Sequence, residues 1–299
     1  MNDRIINKDD YFIEDRQGNK INLKDLHEKI LVIMDEIDRI CRKNNIPYAL
    51  HAGSALGAIN YKGFIPWDDD IDVLVAKKDY KRLINAFKKD MSKDFIFQCF
   101  ETDKRYNVLL PNMKVRSKNT YIKEVNVLLP NRCKTGDGVY IDLSWYSEVS
   151  GNKIVDQIFR TIPKLLMPIM LILDNLHLDL LLLPFKYLVD WVSRFYTFIC
   201  KNSKYVSQTI AIPWEKFLKE PIFLKSDIYP FKNCEFEGRT YMTYNNPENV
   251  VHKWYGPNCT KRWNGKEWEE TYPVHKRQTK HVKDINLESN KRLEKIKDQ

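Results

Sequence analysis

What this chain of 299 residues lacks narrows its options first. Its cysteines, Cys41, Cys99, Cys133, Cys200, Cys234 and Cys259, nowhere form a C-x-x-C pair, so a structural zinc site has no ligand spacing to build on. The amino terminus, MNDRIINKDD, is polar, and no signal peptide is expected. Scattered cysteines without a signal suit a reducing, cytoplasmic compartment. No uncharged run reaches 18 residues, so a spanning helix is not expected. There is no internal repeat and no low-complexity segment. No basic segment interleaved with aromatics stands out, so nucleic acid is not an expected partner despite a net charge of +9.

What is present is a soluble, globular composition with 43% hydrophobic and 30% charged residues. The basic balance favours an anionic partner. Aromatics reach 12%, enough for core packing and for flat recognition surfaces. Leu23, Leu26, Ile30, Ile33, Ile37 and Ile40 recur at helical spacing, predicting an amphipathic helix over 22–43 with Asn22 as its cap. A short strand (46–53), a helix from Ser54 stopped at Gly63, a strand (70–76) and a basic helix (77–90) follow. FIFQCFE, NMKVRSK and VYIDLSWY are further strand candidates. This alternation predicts an α+β or α/β core.

Residues 153–200 change character. LLMPIMLIL and LDLLLLPFKYLVDWV are very apolar, yet Lys164, Asp174, Asp179, Lys186 and Asp190 interrupt them. Pro163, Pro168 and Pro184 add kinks or helix starts. Either a buried helical pair caps the core, or a monotopic pair lies in a membrane surface. From 201 onward, aromatic and turn residues dominate, and the last 25 or so residues read as a solvated helix or frayed tail.

The stretch HAGSALGAINYKGFIPWDDDIDVLV (51–75) carries the chemistry. Taken as a strand, 70–76 projects Asp70 and Asp72 to one side, about 7 Å apart. Carboxylates at that distance repel by about 2 kcal/mol at an effective dielectric near 20. A divalent cation would offset that cost, and Mg²⁺ favours one or two carboxylates with phosphate oxygens and water. An EF-hand loop does not fit, because its sixth position would be Val73 and its twelfth Asp79. A plain solvated acidic turn is the bland reading. Upstream, Gly53-Ser54 opens a helix after a strand, where small residues let backbone N–H groups approach a phosphate. A G-S, a helix and then D-x-D is the layout of the nucleotidyltransferase fold. Asp142, alone in an apolar and aromatic strand, is the candidate third carboxylate.

The whole phrase resembles the signature of the LicD/fukutin group. NMKVRSKNTYI resembles its K-x-R…T strand, with Lys114, Arg116 and Thr120; GVYIDLSWY its third-aspartate segment, with Asp142; and HKWYGPNC its Y-G element, with Tyr255 and Gly256. The group's basic pair after G-A-[IV] reads Asn60-Tyr61-Lys62 here, which leaves Lys62 as the phosphate-directed charge, and the D-φ-F-P segment reads Asp142-Leu143-Ser144-Trp145.

The resemblance implies an α+β, nucleotidyltransferase-type mixed sheet with flanking helices. Residues 1–150 would form the catalytic core. Residues 151–299 would add the apolar helical pair and an aromatic-rich region that binds donor or acceptor. It implies transfer of phosphocholine or a related phospho-alcohol from CDP-choline or another CDP-alcohol to a glycan hydroxyl, such as teichoic acid, lipopolysaccharide or capsule, with CMP leaving. Asp68, Asp70, Asp72 and Asp142 would hold Mg²⁺ (or Mn²⁺), with Asp70, Asp72 and Asp142 catalytic. Gly53, Ser54, Lys62, Lys114 and Arg116 would bind the donor phosphates. A choline head would want an aromatic cage drawn from Trp67, Trp145, Tyr146, Trp254, Tyr255, Trp263 and Trp268. His252, His275 and His281 read as structural or exposed. The acceptor could be lipid-linked, with the enzyme cytoplasmic and peripheral on the inner membrane face through about 154–200. Two rivals stand beside this: a nucleotidyltransferase that uses a nucleoside triphosphate and releases pyrophosphate, and a non-catalytic member that only binds glycan or nucleotide.

Overall fold

The computed structural model describes residues 8–14, 20–106, 113–124, 131–208, 221–271 and 282–286. A hairpin of β1 (Phe12–Glu14) and β2 (Lys20–Asn22) leads into α1 (Leu23–Lys43). Asn22 caps this helix, its side-chain oxygen accepting the Lys24 N–H at 3.1 Å. The apolar stripe read from the sequence is buried along its whole length. β3 (Tyr48–Leu50), α2 (Ala52–Tyr61), β4 (Asp72–Ala76), a tight turn at 77–79 and α3 (Tyr80–Asp90) follow. Next come β5 (Phe95–Gln98), β6 (Met113–Ser117), β7 (Tyr121–Glu124) and β8 (Tyr140–Val149). Two long helices, α4 (Lys153–Asn175) and α5 (Asp179–Ile199), precede β9 (Tyr205–Gln208) and β10 (Phe223–Leu224). The carboxyl-terminal part holds α6 (Lys225–Ile228), the β11 (Lys232–Phe236)–β12 (Arg239–Thr243) hairpin, α7 (Pro247–Tyr255), α8 (Gly265–Thr271) and β13 (Val282–Asn286).

Seven strands make one mixed sheet with β8 as its spine. Along one edge β8 pairs in parallel with β4. Along the other it takes β6 over its first half and β9 over its second, both antiparallel. β3, β5 and β10 extend the sheet from β4, β6 and β9. Val73, Leu74 and Val75 are fully buried, which is why this central strand reads as an unbroken apolar run. The chain thus has the mixed-sheet α+β architecture expected of a nucleotidyltransferase-type fold. The core cluster runs from Leu23 to Trp268 and includes Phe223, Phe236, Tyr241 and Tyr244 from the carboxyl-terminal part.

Several boundaries differ from the sequence reading. α2 starts at Ala52, two residues before Ser54, and β4 starts at Asp72, because the ladders with β3 and β8 reach no further back. Asp70 therefore lies in the approach to the strand. Pro163, Pro168 and Pro184 lie inside α4 and α5 and do not start helices. Residues 282–286 form a strand against β7, where a helix or frayed tail was expected. The rest of that tail, with His275 and His281, falls outside the described residues. α4 and α5 pair but do not form a buried cap, since both expose large apolar side chains.

After α2 the chain doubles back over Gly57. A Cβ there would meet the Gly63 carbonyl oxygen at 2.4 Å. That close approach starts the loop which returns residues 68–70 to the start of α2. Gly57→Ala should destabilise the protein by about 1–3 kcal/mol, because the obstacle is backbone and cannot swing aside. Denaturant unfolding measures this, and an unchanged midpoint would contradict it.

Candidate active site

Three neighbouring strands place three charges in a row. Asp72 of β4 lies opposite Asp142 of β8, and Asp142 lies opposite Lys114 of β6. Directly opposed residues share a face of the sheet. The Lys114 ammonium sits 2.8 Å from Asp142 Oδ2 and 3.6 Å from the Tyr140 ring centre. Ile71 is fully buried while Asp70 and Asp72 on either side are half-buried, so those two carboxylates face the same way. Just before them, Asp68, Asp69 and Asp70 bring carboxylate oxygens within 4.8 Å of one another.

The backbone around this row is held from several directions. Asp72 N–H donates to Ser54 Oγ at 2.9 Å, and Asp72 O accepts the His51 N–H at 2.9 Å. His51 is fully buried against Tyr244, with its ring nitrogen bonded to the Tyr244 hydroxyl. Burial holds it neutral, its pKa pushed down to about 3. His27 stacks on Phe64 and donates from Nε2 to the Asp68 carbonyl at 2.7 Å. Burial lowers its pKa to about 4, so it holds the acidic loop as a neutral imidazole.

Gly53 supplies space. A Cβ there would lie 2.9 Å from Asp68 Oδ2 and 3.8 Å from the Tyr255 hydroxyl. Burial, together with the charges of Asp68, Asp72 and Asp70, raises the Tyr255 pKa well above the ordinary phenol value. Tyr255 is therefore a proton-bearing donor among carboxylates. The donor set is all carboxylate oxygen around a gap that a methyl group would fill. That suits a hard, oxygen-seeking divalent cation, and Asp68, Asp69 and Asp70 could hold one.

The structure does not bring every expected residue to this place. Ser54 is buried, its hydroxyl on Asp72 and its N–H bonded to the His51 carbonyl, so it positions Asp72. Arg116 is 1% exposed and donates to Gln98 Oε1 and the Gly138 carbonyl, inside the protein. Lys62 follows the far end of α2, about 13 Å along the helix from Gly53, and pairs with Glu235 at 2.9 Å. Of the aromatic pool, Trp67, Trp145, Tyr146 and Trp268 are buried in the core; Tyr255 reaches the acidic cluster. His252 bonds the Thr260 hydroxyl away from this row. Sequence reasoning gave no role to Asp69 or His27, and placed Tyr255 only in the Y-G element and in the aromatic pool for a choline head. Only the unbroken D-D-D run pointed toward Asp69.

A mixed sheet with a carboxylate row beside a glycine gap defines the nucleotidyltransferase type of site. Residues 45–163 match the family described as LicD/FKTN/FKRP, nucleotidyltransferase domain, the group whose signature the sequence resembles. It is similar to the lipopolysaccharide cholinephosphotransferase LicD of Haemophilus influenzae, 37% identical over 82 residues, which are 27% of this chain and 31% of that protein. An uncharacterized protein of Rickettsia typhi is 33% identical over 60 residues, 19% of each chain. One of Rickettsia prowazekii is 38% identical over 47 residues, 16% of this chain and 18% of its own. The matches thus span less than a third of each relative's length.

Gly53→Ala forces the Asp68 carboxylate aside while leaving the core untouched. It should weaken Mn²⁺ or Mg²⁺ binding by about 10–100-fold, as loss of a ligand's support commonly does. Calorimetric metal titration reads this, and unaltered affinity would remove Gly53 from the site.

Proposed function

We propose that this chain transfers phosphocholine, or a related phospho-alcohol, from a CDP-linked donor to a hydroxyl of a cell-surface glycan, releasing CMP. The observation that carries this reading is the Asp72–Asp142 pair beside Asp68, Asp69 and Asp70, over the gap at Gly53, inside the segment that matches the family. The cholinephosphotransferase named among the relatives supports phosphocholine as the transferred group and a lipopolysaccharide-type glycan as acceptor; teichoic acid and capsule offer the same hydroxyl chemistry.

Asp68, Asp70, Asp72 and Asp142, with Asp69 beside them, would hold Mg²⁺ (or Mn²⁺). The ion's contribution is to neutralise charge on the donor diphosphate and on departing CMP. The rest falls to the chain itself. The acceptor oxygen attacks the phosphorus that bears the alcohol, and the bond from that phosphorus to the CMP oxygen breaks. Asp142 takes the acceptor proton. The Lys114 ammonium pairs with it, and holding the hydroxyl in line is the larger part of the work of Asp142. Lys114, between Asp142 and the Tyr140 ring, can turn its ammonium to a phosphoryl oxygen. Tyr255 donates a hydrogen bond, and its ring is the member of the aromatic pool beside the site. Ser54 and His51 hold the Asp72 main chain.

In this reading residues 1–150 are the catalytic core, and 151–299 complete it through Tyr255 and add the helical pair. The enzyme works in the cytoplasm at the inner face of the membrane, where a lipid-linked glycan would be met.

Calorimetric titration with CDP-choline, CDP-ribitol, CDP-glycerol and CTP, each with and without Mg²⁺, tests the donor class. One CDP-alcohol should bind in a Mg²⁺-dependent manner, with affinity lost in Asp72→Asn, and turnover should yield CMP. CTP binding with pyrophosphate release would establish the nucleotidyltransferase reading. A protein that binds no nucleotide would be a non-catalytic member.

A further inference from the structure

The α4–α5 hairpin wears its side chains inside out. Asp156, Asp174 and Lys186 are buried, and Asp179 and Asp190 half-buried. Arg132 reaches Asp174 at 2.5 Å and Asp179 at 2.8 Å, and Lys186 pairs with Asp190 at 2.9 Å. Tyr196 donates to the Asp156 carboxylate. The outer face is apolar instead: Leu165 is 70% exposed, Leu180 82% and Trp191 62%, with Ile158, Ile172 and Phe198 beside them. Among the described residues of the hairpin, Arg194 is the one lysine, arginine, aspartate or glutamate between Ile154 and Ile199 that is classed as exposed.

The inner face is already spoken for. Val149 of β8 packs with Val192 and Tyr196, and Phe100 packs with Met170, Leu182 and Val189. Among the described residues, no helix is long and apolar enough to cross a membrane. The pair can therefore present only its outer side, lying along a surface without spanning it. Charge is graded along its length. The turn end shows Leu176, Leu178, Leu180 and Leu181. The opposite end, where α4 begins and α5 finishes, shows Lys153, Lys201 and Lys204, with Arg194 just before. An apolar plane with aromatic side chains and a basic rim matches the acyl boundary and anionic headgroups of a bilayer.

We propose that the outer face of the α4–α5 hairpin docks on an anionic lipid surface, the apolar plane entering the headgroup–acyl boundary and Lys153, Arg194, Lys201 and Lys204 meeting the headgroups. This names the surface behind the peripheral location given above and rests on that location. Lipid binding and donor binding are separate measurements, so either can fail alone.

The test is co-sedimentation of the full chain with vesicles of phosphatidylcholine, and of phosphatidylcholine mixed with phosphatidylglycerol, at low and high salt. The chain should pellet with the anionic vesicles at low salt and less at high salt. Leu180→Glu with Trp191→Glu, both on the outer face, should cut pelleting at least tenfold while leaving CDP-alcohol binding unchanged. Lys201→Glu with Lys204→Glu should abolish the preference for anionic vesicles. A chain that pellets with neither vesicle overturns the proposal, as does an outer-face variant that pellets like the parent. Light scattering separates the other occupant: a parent dimer that the outer-face variant dissociates, without vesicle binding, would assign the face to a second copy.

Discussion

The parallel pairing of β4 with β8 in a register that sets Asp72 directly opposite Asp142 governs the rest of the site. Like charges on facing positions of adjacent strands are destabilising, and Asp68, Asp69 and Asp70 crowd in beside them. The surroundings answer that cost locally. Lys114 arrives from β6 at the same register level and pairs with Asp142. Ser54 and His51 grip the Asp72 main chain, and His27 grips the acidic loop through the Asp68 carbonyl. Neutral imidazoles suit that task, because burial makes the charged form expensive. The result is a carboxylate cluster held open over Gly53 that could hold a metal ion.

The hairpin handles charge in the opposite manner. Its carboxylates turn inward to Arg132, Lys186 and Tyr196, and Lys77 of the turn after β4 reaches Ser193 on α5 at 2.6 Å. Burial pulls the Lys77 pKa down to about 8. Arg132 and Lys77 tie the hairpin to the rest of the fold, the Lys186–Asp190 and Tyr196–Asp156 contacts lie within it, and the apolar side is left outward. Large apolar side chains exposed together on one element commonly mark an interaction surface.

Much of this was legible beforehand where local chemistry decides. The α1 stripe and its Asn22 cap, the buried β4 run and the lone Asp142 follow from periodicity and from the cost of a charge in an apolar strand. Ser54, Lys62 and Arg116 were harder, because a polar side chain can bind a ligand or satisfy its own fold, and spacing looks alike in both cases. Ser54 found the Asp72 N–H, Arg116 found Gln98 and Gly138, and Lys62 found Glu235, more than a hundred residues away in sequence. The charges interrupting 153–200 were ambiguous for the same reason, since a helix wheel does not say which face meets the protein.

By itself, the sequence determined that there is an acidic, glycine-gated motif entering a buried strand, and which family that motif resembles, because both depend on neighbours a few residues apart. Only the tertiary structure decided that Lys114 shares Asp142, that Tyr255 closes over Gly53 and Asp68, and that the hairpin faces its charges inward. Those outcomes depend on sheet register and on which surfaces pack together, and such long-range choices minimise buried, unpaired charge over the whole fold.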